Sequence, residues 1–154
     1  MKKKGVVIYT DGSCRLTEKN KPGGWAFVVE GDSTSRAGGT TGNTNNQMEM
    51  TAVYEAMIYT HENGIEDVII YTDSKYVMDG LNNKWVRKWK NNGWKTSTGQ
   101  PVKNKVLWEK ISDHHSSVPA ISIKHVKGHN GNVLNELVDE LAKNESLKLS
   151  TQKR

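Results

Sequence analysis

The sequence predicts an α/β protein, a five-stranded mixed sheet with helices packed on it. Three observations carry this. Two apolar runs, Val6-Val7-Ile8 and Val68-Ile69-Ile70, lack polar alternation, which is the habit of strands buried on both faces. Both lead into one tetrapeptide, Ile8-Tyr9-Thr10-Asp11 and again Ile70-Tyr71-Thr72-Asp73. The elements also follow in the order strand, strand, strand, helix, strand, helices, strand, helix, a pattern that layers helices on a sheet.

Taken in order, residues 5–10 read as the first strand. A polar, lysine-bearing loop over 15–22 ends in Pro22-Gly23-Gly24. Trp25 to Glu30 and Ser33 to Gly39 form a hairpin turning at Gly31-Asp32. Thr44 to Asn46 offer helix caps, and a helix from Met48 runs to about His61, where Asn63-Gly64 stops it. Val68 to Tyr71 is the fourth strand. Ser74 to His115 is helical in pieces, broken around Asn91-Asn92-Gly93 and Thr98-Gly99-Gln100-Pro101. Ala120 to His125 is the fifth strand, Lys127 to Asn132 a glycine-bearing loop, and Val133 to Ser146 the last helix. The tail from Lys148 to Arg154 is polar and expected to fray.

The length of 154 residues fits one domain with a sizeable core. The net charge of +5 is concentrated: residues 81–110 carry eight basic side chains against Glu109 alone. A polyanion would meet that patch and not a uniformly basic surface. Four of the five tryptophans (Trp85, Trp89, Trp94 and Trp108) fall in the same stretch. Cys14 is the single cysteine, so an intrachain disulfide is excluded and a reducing, cytoplasmic setting is expected. The apolar run after Lys2-Lys3-Lys4 is too short for a secretory signal, and no later stretch approaches a membrane span.

Each repeat delivers an aspartate where its apolar run stops, at the strand end that binds ligands in α/β sheets. Side by side, the two strands would bring Asp11 and Asp73 within reach of one ion, although either could simply cap a turn. Glu49 leads a helix face otherwise made of Ala52, Val53 and Ala56, and a buried carboxylate there needs a partner. On the last helix Leu134, Leu137, Val138 and Leu141 form a core stripe, with Asn135 and Asp139 along its edge. His129 lies between glycines in a loop, a setting that suits proton transfer more than packing. The remaining histidines read as structural.

Thr10-Asp11-Gly12-Ser13-Cys14, Thr44-Asn45-Asn46-Gln47-Met48-Glu49, Thr72-Asp73-Ser74, Lys127-Gly128-His129 and Val138-Asp139-Glu140-Leu141-Ala142, in that order, resemble type 1 ribonuclease H. The resemblance spans about Gly5 to Ala142. It implies three antiparallel then two parallel strands, helices on both faces and a basic helical protrusion at about 81–101. The domain would cover 1–146, with 147–154 as tail and no separate hybrid-binding domain. The implied activity is endonucleolytic hydrolysis of the RNA strand of RNA–DNA hybrids, leaving 5′-phosphate and 3′-hydroxyl ends. Asp11, Glu49, Asp73 and Asp139 would hold two Mg²⁺ ions (Mn²⁺ as a possible substitute), and His129 would assist proton transfer. These residue types suit hard divalent cations that retain water and substrate oxygens.

The resemblance also implies substrate contacts. Gly12, Ser13, Cys14, Thr44, Asn45, Asn46, Gln47, Ser74 and Asn135 would meet the hybrid, with Trp85, Lys88 and Trp89 on the DNA strand and Trp108 mainly structural. No small-molecule cofactor, no membrane and a monomeric state are expected. Two features depart from the family pattern. Arg15 to Lys21 replaces a common short Gly-Asn-Pro-Gly turn, and Gln47 and Lys75 stand where other side chains are frequent. A catalytically silent hybrid-binding module would need the basic helices but not the carboxylates. Proofreading exonucleases and transposases on similar sheets would differ at Ser13 and Asp139.

Overall fold

In the computed structural model, which describes residues 5–31, 34–82, 85–117, 120–125 and 133–150, the repeated tetrapeptide is the register of the sheet. Strands β1 (Val6–Cys14) and β4 (Asp67–Thr72) run parallel, with Ile8 opposite Ile70 and Tyr9 opposite Tyr71. The two tyrosine rings stack at 5.0 Å, and Thr10 Oγ1 donates to the Tyr71 carbonyl at 2.8 Å. Beyond that point β1 leaves β4 but stays paired with β2 (Gly23–Val29) as far as Cys14 opposite Gly23. The first strand is thus longer than the apolar run that announces it. Asp11 lies within it and not at its end, because β2 continues to satisfy its backbone.

β3 (Ser35–Thr40) and β5 (Ala120–His125) complete the sheet in the order β3-β2-β1-β4-β5. The first three strands pair antiparallel, and β4 and β5 join in parallel. This is the expected five-stranded mixed sheet. Its helices are α1 (Asn45–Glu62), α2 (Lys75–Asn82), α3 (Trp85–Asn91), α4 (Lys105–Ser117) and α5 (Val133–Lys148). No described helix is long and apolar enough to cross a membrane.

Alternation along the strands feeds two cores. Ile8, Phe27, Val29, Val68 and Ile70 pack with Met50, Val53 and Met57 of α1 and with Trp108 and Ile111 of α4. Ala26 and Val28 face the other way, against Val138 and Ala142 of α5 with Tyr9, Leu134 and Leu141 beside them. Both faces are therefore covered, which explains the unbroken apolar runs. Glycine permits the closeness. A Cβ at Gly24 would lie 2.0 Å from the Ala142 carbonyl of α5.

α1 begins at Asn45, earlier than the expected Met48 and directly after the candidate cap Thr44. Thr44 is the N-cap: its Oγ1 accepts from Gln47 N at 3.2 Å, and its own N–H donates to Gln47 Oε1 at 3.0 Å. This reciprocal pair satisfies two orphan donors of the first turn. Because the helix starts at Asn45, Glu49 falls one turn deeper than expected and draws less from the helix dipole.

α5 corrects two expectations. Leu137 is exposed, and Asn135, expected along the edge of the stripe, is buried. The stripe that packs on the sheet is Leu134, Val138, Leu141 and Ala142. The helix also runs to Lys148, and the two residues after it are held in place: Asn20 Nδ2 donates to the Leu149 carbonyl, and Ser150 Oγ to Glu18. The expected fraying therefore does not begin at Lys148.

Candidate active site

Three of the four carboxylates singled out from the sequence meet at one point. Asp11 from β1, Glu49 from α1 and Asp73 from the end of β4 each offer a ligand atom within 4.8 Å of the others. The parallel register supplies the two aspartates. Glu49 arrives because nothing separates α1 from β1 at Gly12, where an added Cβ would lie 2.3 Å from Glu49 N. Asp11 is 3 % exposed. Its Oδ1 accepts from Gly12 N at 2.8 Å, while Oδ2, like Glu49 Oε1, is buried with no hydrogen-bond partner among the described residues.

Burial and the neighbouring acids oppose the ionisation of Asp11 and Glu49. Burial, then the charge of Asp73, pushes the Asp11 carboxyl up to about 8. Burial first and the neighbouring Asp73 and Asp11 second push Glu49 strongly in the same direction. A hard cation resolves the conflict: it replaces the missing donors and neutralises the repulsion. The triad is compatible with divalent metal binding on that ground.

Asp139 stands apart from the triad but close to it. Its carboxyl is one of the groups that raise Asp11, and its Oδ2 pairs with Lys143 Nζ at 3.0 Å, one helical turn on. The Lys143 link was visible as an i, i+4 pair but was not singled out. His125, one of the histidines that the sequence reads as structural, sits beside the triad. Its Nε2 lies 3.2 Å from the Asp73 carbonyl, because β5 sets His125 opposite Thr72. The strand-end rule that found Asp73 would have found it too. His129 lies outside the described residues.

The expected substrate residues divide. Gly12, Ser13 and Cys14 form the last part of β1, and Cys14 N–H donates to Asn45 Oδ1 at 2.9 Å, so the first loop and the start of α1 form one surface. Thr44, Asn45 and Asn46 are exposed there. Gln47 is half-buried and donates to Asn104 Oδ1 at 3.1 Å, a bridge to the residue before α4 that the sequence did not signal. Ser74 is buried and its Oγ accepts from Val77 N, so it caps α2.

In the basic segment Trp108 is fully buried and donates to Tyr76 Oη at 3.0 Å. Trp89 packs on it at 5.6 Å, and Trp85 lies 6.1 Å from Trp89 at the outer end of the row. Trp85, Lys88, Trp89 and Lys95 help to line an open cleft of about 610 Å³. An aromatic floor with lysines at its rim suits a nucleic-acid backbone.

A mixed sheet carrying a carboxylate triad at its centre and a basic aromatic flank defines a ribonuclease H-like protein. The RNase H family profile matches residues 3–147. The chain is 43 % identical to "Ribonuclease H" of Albidiferax ferrireducens, over 97 % of this chain and 98 % of that one. It is 40 % identical to "Ribonuclease H" of Treponema pallidum, over 89 % and 88 %. Among solved structures, LC9-RNase H1, a type 1 RNase H with the type 2 active-site motif, superposes with a TM-score of 0.79 at 29 % identity, covering 96 % of this chain and 74 % of that one. The chain belongs to the RNase H family.

Proposed function

We propose that this chain is an endonuclease that hydrolyses the RNA strand of RNA–DNA hybrids, leaving 5′-phosphate and 3′-hydroxyl ends. The observation that carries the reading is the convergence of Asp11, Glu49 and Asp73 on one point beside the surface formed by Cys14 and Asn45. Family membership supports the same substrate class.

Asp11, Glu49, Asp73 and Asp139 would hold Mg²⁺, two ions per site, with Mn²⁺ as a substitute. Bound there, such ions supply Lewis acidity toward the phosphoryl oxygens and lower the pKa of water. The chain's own residues orient the strand and manage protons. Water adds to phosphorus as the bond to the 3′ oxygen breaks, and the proton lost by water is balanced by one gained at the leaving oxygen. His129 is proposed to assist that exchange, and His125 to fix the backbone that carries Asp73.

The remaining assignments follow from this reading. Gly12, Ser13, Cys14, Thr44, Asn45, Asn46 and Gln47 would read the RNA strand, where the 2′-hydroxyl marks it apart from DNA. Trp85, Lys88 and Trp89 would carry the DNA strand by stacking and phosphate contact. Ser74 and Asn135, both buried, would act by supporting that surface. One catalytic domain with its protrusion at about 81–101, acting as a cytoplasmic monomer, is proposed.

The test uses end-labelled hybrid, duplex RNA, duplex DNA and single-stranded RNA, each with Mg²⁺. Cutting of the hybridised RNA alone, with 3′-hydroxyl products, is expected. Equal cutting of duplex or single-stranded RNA, or binding of hybrid without cutting, would overturn the reading.

A further inference from the structure

Glu18 is a buried carboxylate outside the acidic cluster, in the loop that departs from the family pattern. Its side chain has 0 % exposure, although Leu16, Thr17 and Lys19 around it are open to solvent. A carboxylate persists in such a place only when its charge and lone pairs are met. Arg15 Nε donates to Oε2, and Ser150 Oγ lies 2.8 Å from both carboxylate oxygens. Beside it, Asn20 Nδ2 donates to the Leu149 carbonyl at 3.0 Å. Leu149 itself rests on β3, where a Cβ at Gly39 would come within 3.1 Å of its Cδ1. Residues just past α5 are thus tied to the first loop.

The other side of that loop is bonded to the entry of α1. Gly42 N–H reaches the carbonyls of Asn20 and Lys21, at 2.9 and 3.1 Å. Cys14 Sγ donates to the Asn43 carbonyl at 3.2 Å, and Cys14 N–H to Asn45 Oδ1. Lys21 adopts φ +44, a left-handed conformation unfavourable for a residue with a Cβ. The turn presenting these carbonyls therefore needs outside support, and the contacts of Glu18 and Asn20 supply it.

We propose that Leu149 and Ser150 form a latch that positions the 15–22 loop and, through it, Cys14 and Asn43 to Asn45 for reading the RNA strand. The inference rests on the hybrid-cleaving reading above and deepens it. Glu18, Asn20 and Ser150 are positioning residues: they set how often the recognition surface holds its binding geometry. Losing the latch taxes binding in proportion to the competent fraction and leaves the chemical step alone.

The test compares Ser150→Ala, Asn20→Ala and Ser150→Thr for cleavage and binding of a fluorescent RNA–DNA hybrid, with amide hydrogen exchange on each free protein. Ser150→Ala and Asn20→Ala are expected to raise KM and Kd about three- to tenfold and to leave kcat within about twofold. Exchange should quicken at residues 14–22 and 42–45 while the sheet stays protected. Ser150→Thr, which keeps the hydroxyl, should match the wild type. Unchanged KM and Kd with a lower melting temperature would make the contact purely structural and overturn the proposal. Uniform loss of protection along the chain would do the same. A wild type that cuts no hybrid would instead sink the functional reading, while exchange in the variants still decides whether the latch orders the loop.

Discussion

Gly12 and Glu49 stand so close that a methyl group added at Gly12 would fall 2.3 Å from the backbone nitrogen of Glu49 and 2.3 Å from the carbonyl carbon of Met48. The partners are helix backbone, so α1 itself would have to move. Gly12→Ala is expected to cost about 1–3 kcal/mol as an overpacked contact. It should also displace Glu49 from Asp11 and Asp73, and a misplacement on the order of 1 Å can cost about a hundredfold in rate. Thermal melting and single-turnover cleavage of a hybrid check both effects. Wild-type activity in a folded variant would mean that the glycine is incidental.

The acidic triad should also make the metal-free protein sensitive to pH. Asp11 has a folded pKa of about 8 against an ordinary 3.8, through burial first and the Asp73 charge second. A raised value means that the native state holds the proton more tightly than the unfolded chain. Its contribution is complete below the ordinary value and is lost as pH climbs through the folded one. Glu49, raised by burial, acts in the same sense. The metal-free protein is expected to melt lower at about pH 8 than at about pH 5, with Asp11→Asn flattening that fall. Mg²⁺ at a hundred times its Kd should restore about 2.7 kcal/mol at the higher pH. A melting temperature that holds or rises across the interval would contradict the electrostatic picture.

Lys143 competes for Asp139. Their 3.0 Å pair is largely solvent-facing on the lysine side, so it is weak, yet it places a cation beside the carboxylates. Removing it both releases Asp139 from that pair and removes repulsion toward an incoming cation. Lys143→Met is expected to lower the Mg²⁺ midpoint by about two- to fivefold, the range of an exposed pair. Calorimetric titration with Mg²⁺ checks this, and a weaker midpoint would assign Lys143 a supporting role at the site.

At the outer end of the aromatic row, Lys88 is exposed beside Trp85 and Trp89 in the cleft. Lys88→Ala should weaken hybrid binding similarly for all sequences and reduce the salt slope by about one. Fluorescence anisotropy over a salt series measures it. An unaltered slope would place the DNA strand elsewhere.

Much of this was legible because the sequence repeats itself. The tetrapeptide that ends in Asp11 and Asp73 is also the parallel register, so pattern and pairing coincide. Glu49 stood out as a charge leading an apolar stripe, and Trp108 as the core member of an aromatic set. What escaped was long-range and polar. Neither Glu18 with Ser150 nor Gln47 with Asn104 has any local signal, since hydroxyls and amides carry no periodicity. The exposure of Leu137 and the burial of Asn135 were missed for another reason. The face of α5 is set by where it crosses β2, and small residues such as Gly24 decide that approach.

The most direct measurement is a Mg²⁺ titration of single-turnover cleavage, using hybrid labelled on the RNA strand, with wild type and Asp73→Asn in parallel. Saturable, metal-dependent cutting by the wild type is expected. The variant, still folded and still binding hybrid, should lose at least about a hundredfold in rate at any Mg²⁺ concentration. Cleavage by Asp73→Asn at the wild-type rate, or cutting by the wild type that ignores both added Mg²⁺ and its removal by a chelator, would contradict the assignment of this carboxylate cluster as the reaction centre.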